Sequence, residues 1–161
     1  MNEEKTSLDW QLLFYWIMAT TLGWLAGNLL FRGLPFLAAG AAIAAFQWSV
    51  LFKRMHKAWQ WFPYTFLGWF AGYIGSLLIF PENAAFWSGP LVGLTAGFSQ
   101  WLYLRGKLPL AGWWIPISFL AWTTGLTILP GALTSGTLPG ALTGLTLVIL
   151  FHNTENKPDK S

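Results

Sequence analysis

Cysteine is absent from the 161 residues and charge is scarce, with 9% of the chain charged against 55% hydrophobic. Without cysteine there is no disulfide, no thiolate metal ligand and no sulfur nucleophile. The six acids, Glu3, Glu4, Asp9, Glu82, Glu155 and Asp159, all fall at the termini or in one short break between apolar runs. No carboxylate pair is placed for acid–base work or for holding a metal. His56 and His152 stand on different segments, and neither has a second histidine one helical turn away. Phosphate loops, dinucleotide fingerprints and calcium loops are missing too. A net charge of +3 spread along the chain gives no basic stripe for nucleic acid. These absences lead us to expect a protein that is not an enzyme, and they name no cofactor.

What the chain does have is long apolar sequence. A membrane-spanning helix needs about 20 mainly apolar residues. The breaks "RGLP", "KRMHKAWQ", "PEN", "RGKLP" and "PG" divide the chain into six such lengths, near 10–31, 34–52, 59–80, 84–104, 110–129 and 131–151. None shows the polar half that a surface helix of a soluble protein carries. The expected fold is all-α: a polytopic membrane protein with six transmembrane helices in one domain, 10–151, between polar tails 1–9 and 152–161. The start "MNEEKTSLD" is acidic, unlike a secretory signal, and is expected to be retained. Six crossings put both termini on one side with Lys5, Lys53, Arg54, Lys57, Arg105, Lys107, Lys157 and Lys160, leaving Arg32 alone opposite. By the positive-inside rule that side is cytoplasmic. The expected location is a bacterial inner membrane or a thylakoid-type membrane, with the lipid bilayer as the first partner.

Self-similarity separates chosen residues from merely apolar ones. The odd-numbered segments read "WIMATTLGWLAG", "WFPYTFLGWFAG" and "WIPISFLAWTTG". Each holds a Trp, seven residues, a second Trp, two residues and Gly: Trp16, Trp24, Gly27; Trp61, Trp69, Gly72; Trp114, Trp122, Gly125. The chain therefore reads as three copies of a helical hairpin, about 10–52, 59–104 and 110–151. In the even-numbered segments Gly89, Gly93 and Gly97 match Gly136, Gly140 and Gly144, with Phe36, Gly40 and Ala44 at the corresponding places. Ala19, Gly23 and Gly27 form a further stripe, echoed by Gly68 and Gly72. Small residues four apart share a helix face and let backbones approach, so these glycines are expected at helix contacts. The last segment, "PGALTSGTLPGALTG", places Pro139 mid-span, which predicts either a kinked helix or a re-entrant gate.

Gln47–Trp48 and Gln100–Trp101 repeat ahead of basic residues, roughly 8 Å inside the cytoplasmic edge at about 1.5 Å per residue. Two readings stand. The indoles form an interfacial belt while the amides bond neighbouring helices, or Gln47, Trp48, Gln100 and Trp101, with Trp24, Trp69 and Trp122, wall a ligand pocket. The third repeat has Leu147 and Val148 at the aligned place.

The run G-x-x-x-G-x-x-Q-W-x-x-L followed by a basic residue and "PLAGWW", residues 93–114, resembles a group of uncharacterised short multi-span proteins of bacteria, especially cyanobacteria, with a repeated Q-W-x-x-L-R element. That resemblance implies location and topology and brings no activity. Tryptophan-rich sensory proteins differ, having five crossings and a proline-rich tryptophan loop. The leading expectation is a non-enzymatic membrane protein that binds an apolar ligand (lipid or pigment), a partner membrane subunit or a second copy of itself. The alternative is a small-molecule carrier resembling the substrate-binding subunit of an energy-coupling factor transporter, docking its scaffold through Ala19, Gly23 and Gly27.

Overall fold

A computed structural model describes residues 8–30 and 33–155. Six α-helices carry the chain: α1 (Trp10–Leu30), α2 (Pro35–Leu51), α3 (Trp61–Ile79), α4 (Ala84–Leu104), α5 (Trp114–Thr123) and α6 (Thr134–Glu155). Among the described residues there is no strand. Arg32, Lys5, Lys157 and Lys160, and with them most of both tails, lie outside the described residues. Three apolar stretches, Trp10–Leu29, Ala58–Ile79 and Thr134–Thr154, are long and apolar enough to cross a membrane.

Local chemistry sets the ends. Asp9 caps α1, accepting the Leu12 N–H at 2.8 Å, while its other oxygen pairs with Arg54 at 2.6 Å. Burial alone would raise the Asp9 carboxyl, but the Leu12 and Gln11 N–H groups and Arg54 outweigh it and hold the group below its usual range. Pro35 opens α2, where its missing N–H has no intrahelical partner to lose. Single 3₁₀ turns at Ala58–Gln60 and Ala111–Trp113 lead into α3 and α5. Lys57 and Leu110, immediately before them, take left-handed backbone angles of φ 55° and 59°. The hairpin repeat thus extends into its loops, with Ala58 and Ala111 buried at equivalent places.

Two departures from the sequence expectation concern the third hairpin. The segment expected as one helix over 110–129 is the 3₁₀ turn, α5 and then a five-residue π-helical turn, Thr124–Ile128, closed by the Leu129 N–H on the Thr124 carbonyl at 2.8 Å. The gate considered at Pro139 does not form, because α6 is helical throughout Thr134–Glu155. The Thr143 hydroxyl donates to the Pro139 carbonyl at 2.6 Å, one turn back along the helix.

Each helix packs on the next, and α6 returns to α1, so the three hairpins close into a ring. The glycine stripes make that closure possible. A Cβ on Gly23 would stand 2.6 Å from the Ile43 Cα, one on Gly68 2.6 Å from the Ala96 Cα, and one on Gly72 2.5 Å from the Val92 Cα. Gly27 meets Ala39 closer still. Gly89, Gly93 and Gly97 face Trp122, Phe119 and Ser118, while Gly136, Gly140 and Gly144 face Thr21, Ile17 and Trp16. The stripe of Gly23 and Gly27 is therefore covered by α2 of the same chain, which leaves it no free face for a scaffold.

Gly72→Val is accordingly expected to destabilise the folded chain by about 1–3 kcal/mol, since the added atoms meet backbone that cannot yield. Gly112→Ala, at a position with open space, is expected to change stability by less than about 0.5 kcal/mol. Denaturant titration in detergent micelles measures both.

Candidate functional site

The centre of the ring is built from the first Trp of each hairpin. Trp16, Trp61 and Trp114 are fully or almost fully buried and meet pairwise edge to face, with ring centroids 5.5, 5.8 and 6.2 Å apart. Such contacts favour one ring edge against another ring face, by about 0.5–1.5 kcal/mol per pair beyond burial. Each indole N–H must still find an acceptor, because nothing else in this interior can satisfy it. The Trp61 Nε1 donates to the Gln47 Oε1 at 3.1 Å, and the Gln47 Nε2 donates to the Thr20 hydroxyl at 3.0 Å. One hairpin later the Trp114 Nε1 donates to the Gln100 Oε1 at 2.8 Å, and the Gln100 Nε2 to the Thr65 hydroxyl at 3.0 Å.

Each of these two glutamines thus bridges a threonine of its own hairpin to the tryptophan of the next. The third seam is made differently. Leu147 replaces the amide, and the Trp16 Nε1 donates instead to the Thr143 hydroxyl, 3.0 Å away and one turn earlier on α6. Ser118, which stands where Thr20 and Thr65 do, is fully buried and its hydroxyl has no partner among the described residues.

Of the seven residues read from sequence as ligand contacts, Trp24 lines the cavity at the far end of the ring. Gln47 and Gln100 are 3% and 4% exposed, with both ends of each amide engaged inside the protein. Trp48 packs edge to face on Phe52, and its buried Nε1 lacks a partner. Trp101 lies under the Arg105 guanidinium, 5.3 Å from its ring centre. Trp69 and Trp122 are buried against each other with centroids 4.7 Å apart, in a layer completed by Ile43, Val92 and Leu126. The geometry of the two amides therefore favours the helix-bonding reading over the pocket-wall reading.

The principal cavity lies beyond that layer, at the end of the ring opposite the basic loops. It measures about 620 Å³, and all six hairpin arms contribute to its lining: Trp24 and Asn28 from α1, Phe36 from α2, Tyr73 from α3, Ser88 from α4, Leu126 from the π turn and Ser135 from α6. Phe36 stacks on Tyr73 at 4.7 Å and meets Trp24 edge to face at 6.0 Å, giving the vestibule an aromatic wall. Its serine donors are spent, Ser88 on the Ala85 carbonyl at 2.8 Å and Ser135 on the Gly125 carbonyl at 2.8 Å. Asn28 gives one N–H to the Trp24 carbonyl at 2.8 Å and keeps its other amide groups. The cavity falls within the roughly 300–1,000 Å³ of small-molecule sites, and a largely apolar wall with few polar groups is their usual character.

Among the described residues no cluster of three His, Asp or Glu could hold a metal ion. Sequence reasoning missed Thr20, Thr65 and Ser118, although a hydroxyl four residues after each first Trp was a readable signal. It also missed the cavity lining, although Asn28, Tyr73 and Leu126 each stand twelve residues after the first Trp of their hairpin, and Ser88 and Ser135 each precede a matched glycine. No protein-family model matches the chain, and neither the curated proteins nor the solved structures provide a match.

Gln100→Leu is expected to strand the Trp114 N–H and the Thr65 hydroxyl and to cost about 1–3 kcal/mol for each unsatisfied group. Leu147→Gln brings an amide to the Ser118 hydroxyl at the third seam and is expected to cost less than Leu104→Gln in the same buried layer. Micelle unfolding titrations of the three variants provide the comparison.

Proposed function

We propose that the chain is a non-enzymatic integral membrane protein of six crossings, with cytoplasmic termini, that holds an apolar ligand such as a lipid tail or pigment in the vestibule. The carrying observation is the vestibule itself, an aromatic-walled cavity of about 620 Å³ to which all six arms contribute.

The membrane part of this reading draws support from the outside of the ring. Helices that fall short of the spanning criterion still carry exposed apolar residues midway along their length, Leu94 and Phe98 on α4 and Phe119 and Leu120 on α5, while the buried set includes Gln47, Gln100, Thr65 and Ser118. Continuous apolar surface of this kind is uncommon on a soluble monomer. The shortest uninterrupted arm of the first hairpin, α2 with 17 residues, still spans about 26 Å at about 1.5 Å per residue, close to the hydrocarbon thickness of about 30 Å. Orientation follows from the basic loops, Lys53, Arg54, Lys57, Arg105 and Lys107, all of which lie at the end remote from the vestibule. The vestibule then faces the non-cytoplasmic side.

The same geometry sets limits on the ligand. With its serine donors committed to backbone and no cation among its lining residues, the wall suits a neutral polar group at the end of an apolar body, met by the Asn28 amide and the Tyr73 hydroxyl.

A reporter fused to Ser161 is expected to be active only in the cytoplasm; activity outside the cell would reverse the orientation. Protein extracted in mild detergent is expected to carry a lipid or pigment visible in its mass and absorption spectra. Ala85→Trp, placed in the vestibule lining, is expected to remove most of it while shifting stability by less than about 0.5 kcal/mol. An empty extract, or equal occupancy in the variant, would end the vestibule reading.

A further inference from the structure

Among the described residues, the basic end of the ring carries more positive charge than its acids compensate. Five described cations gather there, Lys53, Arg54, Lys57, Arg105 and Lys107, and Asp9 forms an ion pair with Arg54 alone. That pair is the only one among the described residues, and Asp9 is further committed to the cap of α1.

The two basic loops meet at one aromatic ring, that of Tyr103. The Tyr103 hydroxyl donates to the His56 carbonyl at 3.4 Å, tying the first basic loop to the end of α4 one residue before Lys57. From the second loop Lys107 lies over the same ring, 3.5 Å from its centre, and donates to the Tyr103 carbonyl at 3.1 Å. Tyr103 is 3% exposed, so the platform under Lys107 is fixed by packing. Burial, and then repulsion from Lys57, lower the Lys107 ammonium from its usual range.

The surroundings identify the membrane side of this feature. Trp10, Trp59 and Trp113, the three tryptophans that are more than half exposed, all stand at this end of the ring. Exposed indoles concentrate at the headgroup level of a bilayer. A phosphate reaching the two lysines from that level would bring its acyl chains alongside these rings.

We propose that Lys57 and Lys107 bind the phosphate of an anionic phospholipid at the basic end of the ring. The proposal rests on the membrane reading given above and is independent of the vestibule. Both lysines donate to the phosphate oxygens, the Tyr103 platform holds Lys107 in place, and the indoles flank the glycerol and upper acyl region.

Native mass spectrometry of the full chain, released from vesicles of equal parts phosphatidylglycerol and phosphatidylcholine, tests this by reading single retained lipids. Phosphatidylglycerol is expected to be retained in preference, and Lys57→Gln and Lys107→Gln each to lower that retention about fivefold, as loss of one lysine near a headgroup implies. Lys107→Arg is expected to keep it. Lys53→Gln, which removes the same charge from the same loop, is expected to leave it nearly unchanged. Equal losses in all three Gln variants would reduce the effect to overall charge and overturn the site, as would equal retention of the two lipids. Displacement of the lipid by inorganic phosphate at modest excess would overturn it in favour of a soluble anion. A carbonate wash that strips the chain from membranes would defeat the membrane reading separately, whatever the lipid result.

Discussion

Everything in this ring depends on the fate of three indole N–H groups at its axis. Packing three tryptophans edge to face fills the middle of a six-helix ring with few voids, but each ring brings one donor that an apolar interior cannot satisfy. The chain resolves this at the seams. A glutamine on the second helix of one hairpin accepts from the tryptophan on the first helix of the next, and its own N–H is passed back to a threonine. The Thr20 hydroxyl ends one such relay on the Trp16 carbonyl at 2.9 Å, so the donors of the first seam come to rest on backbone. Hydrogen bonding here fixes how hairpins are joined, a matter on which apolar contact alone is indifferent.

Glycine acts on a different link of the chain. Closeness between the helices comes from small residues, and the stripes bring backbones to distances that a methyl group would forbid. Only at that separation do the threonine, glutamine and tryptophan side chains of three consecutive helices lie within 3.1 Å of one another. Interhelical bonds such as Thr95 Oγ1 to the Gly68 carbonyl and Ser99 Oγ to the Tyr64 carbonyl, both 2.6 Å, then follow from the same approach.

These two devices explain what the sequence disclosed and what it withheld. The hairpins, their limits to within a few residues and the packing role of the glycines were legible, because periodicity and repetition are properties of the chain itself. Left-handed angles at Lys57 and Leu110 were not legible, since neither residue favours them, and each costs about 1–2 kcal/mol that the surrounding repeat must supply. The π turn after α5 has no composition of its own; it occurs where the Pro139 ring fills the space beside Gly125. The amides at 47 and 100 were singled out correctly as unusual, yet their partners lie on separate helices and only closure of the ring identifies them. A repeat reveals which positions matter, while ring closure decides what each one touches.

The distribution of exceptions along the axis carries its own argument. At the basic end the repeat is kept even in loop geometry, and the buried alanines and first tryptophans superimpose their roles. Toward the vestibule the third hairpin diverges: α5 ends in a π turn, Pro130 and Gly131 enter the lining, and Ser135 ties Gly125 to α6 in a contact without counterpart in the other hairpins. π turns inside helices recur where a site needs a side chain displaced from its regular register. The divergence is thus confined to one repeat, at one end of the ring, next to the cavity. The loss of the third glutamine fits this division, because Thr143 takes over the Trp16 donor and closes the seam without it.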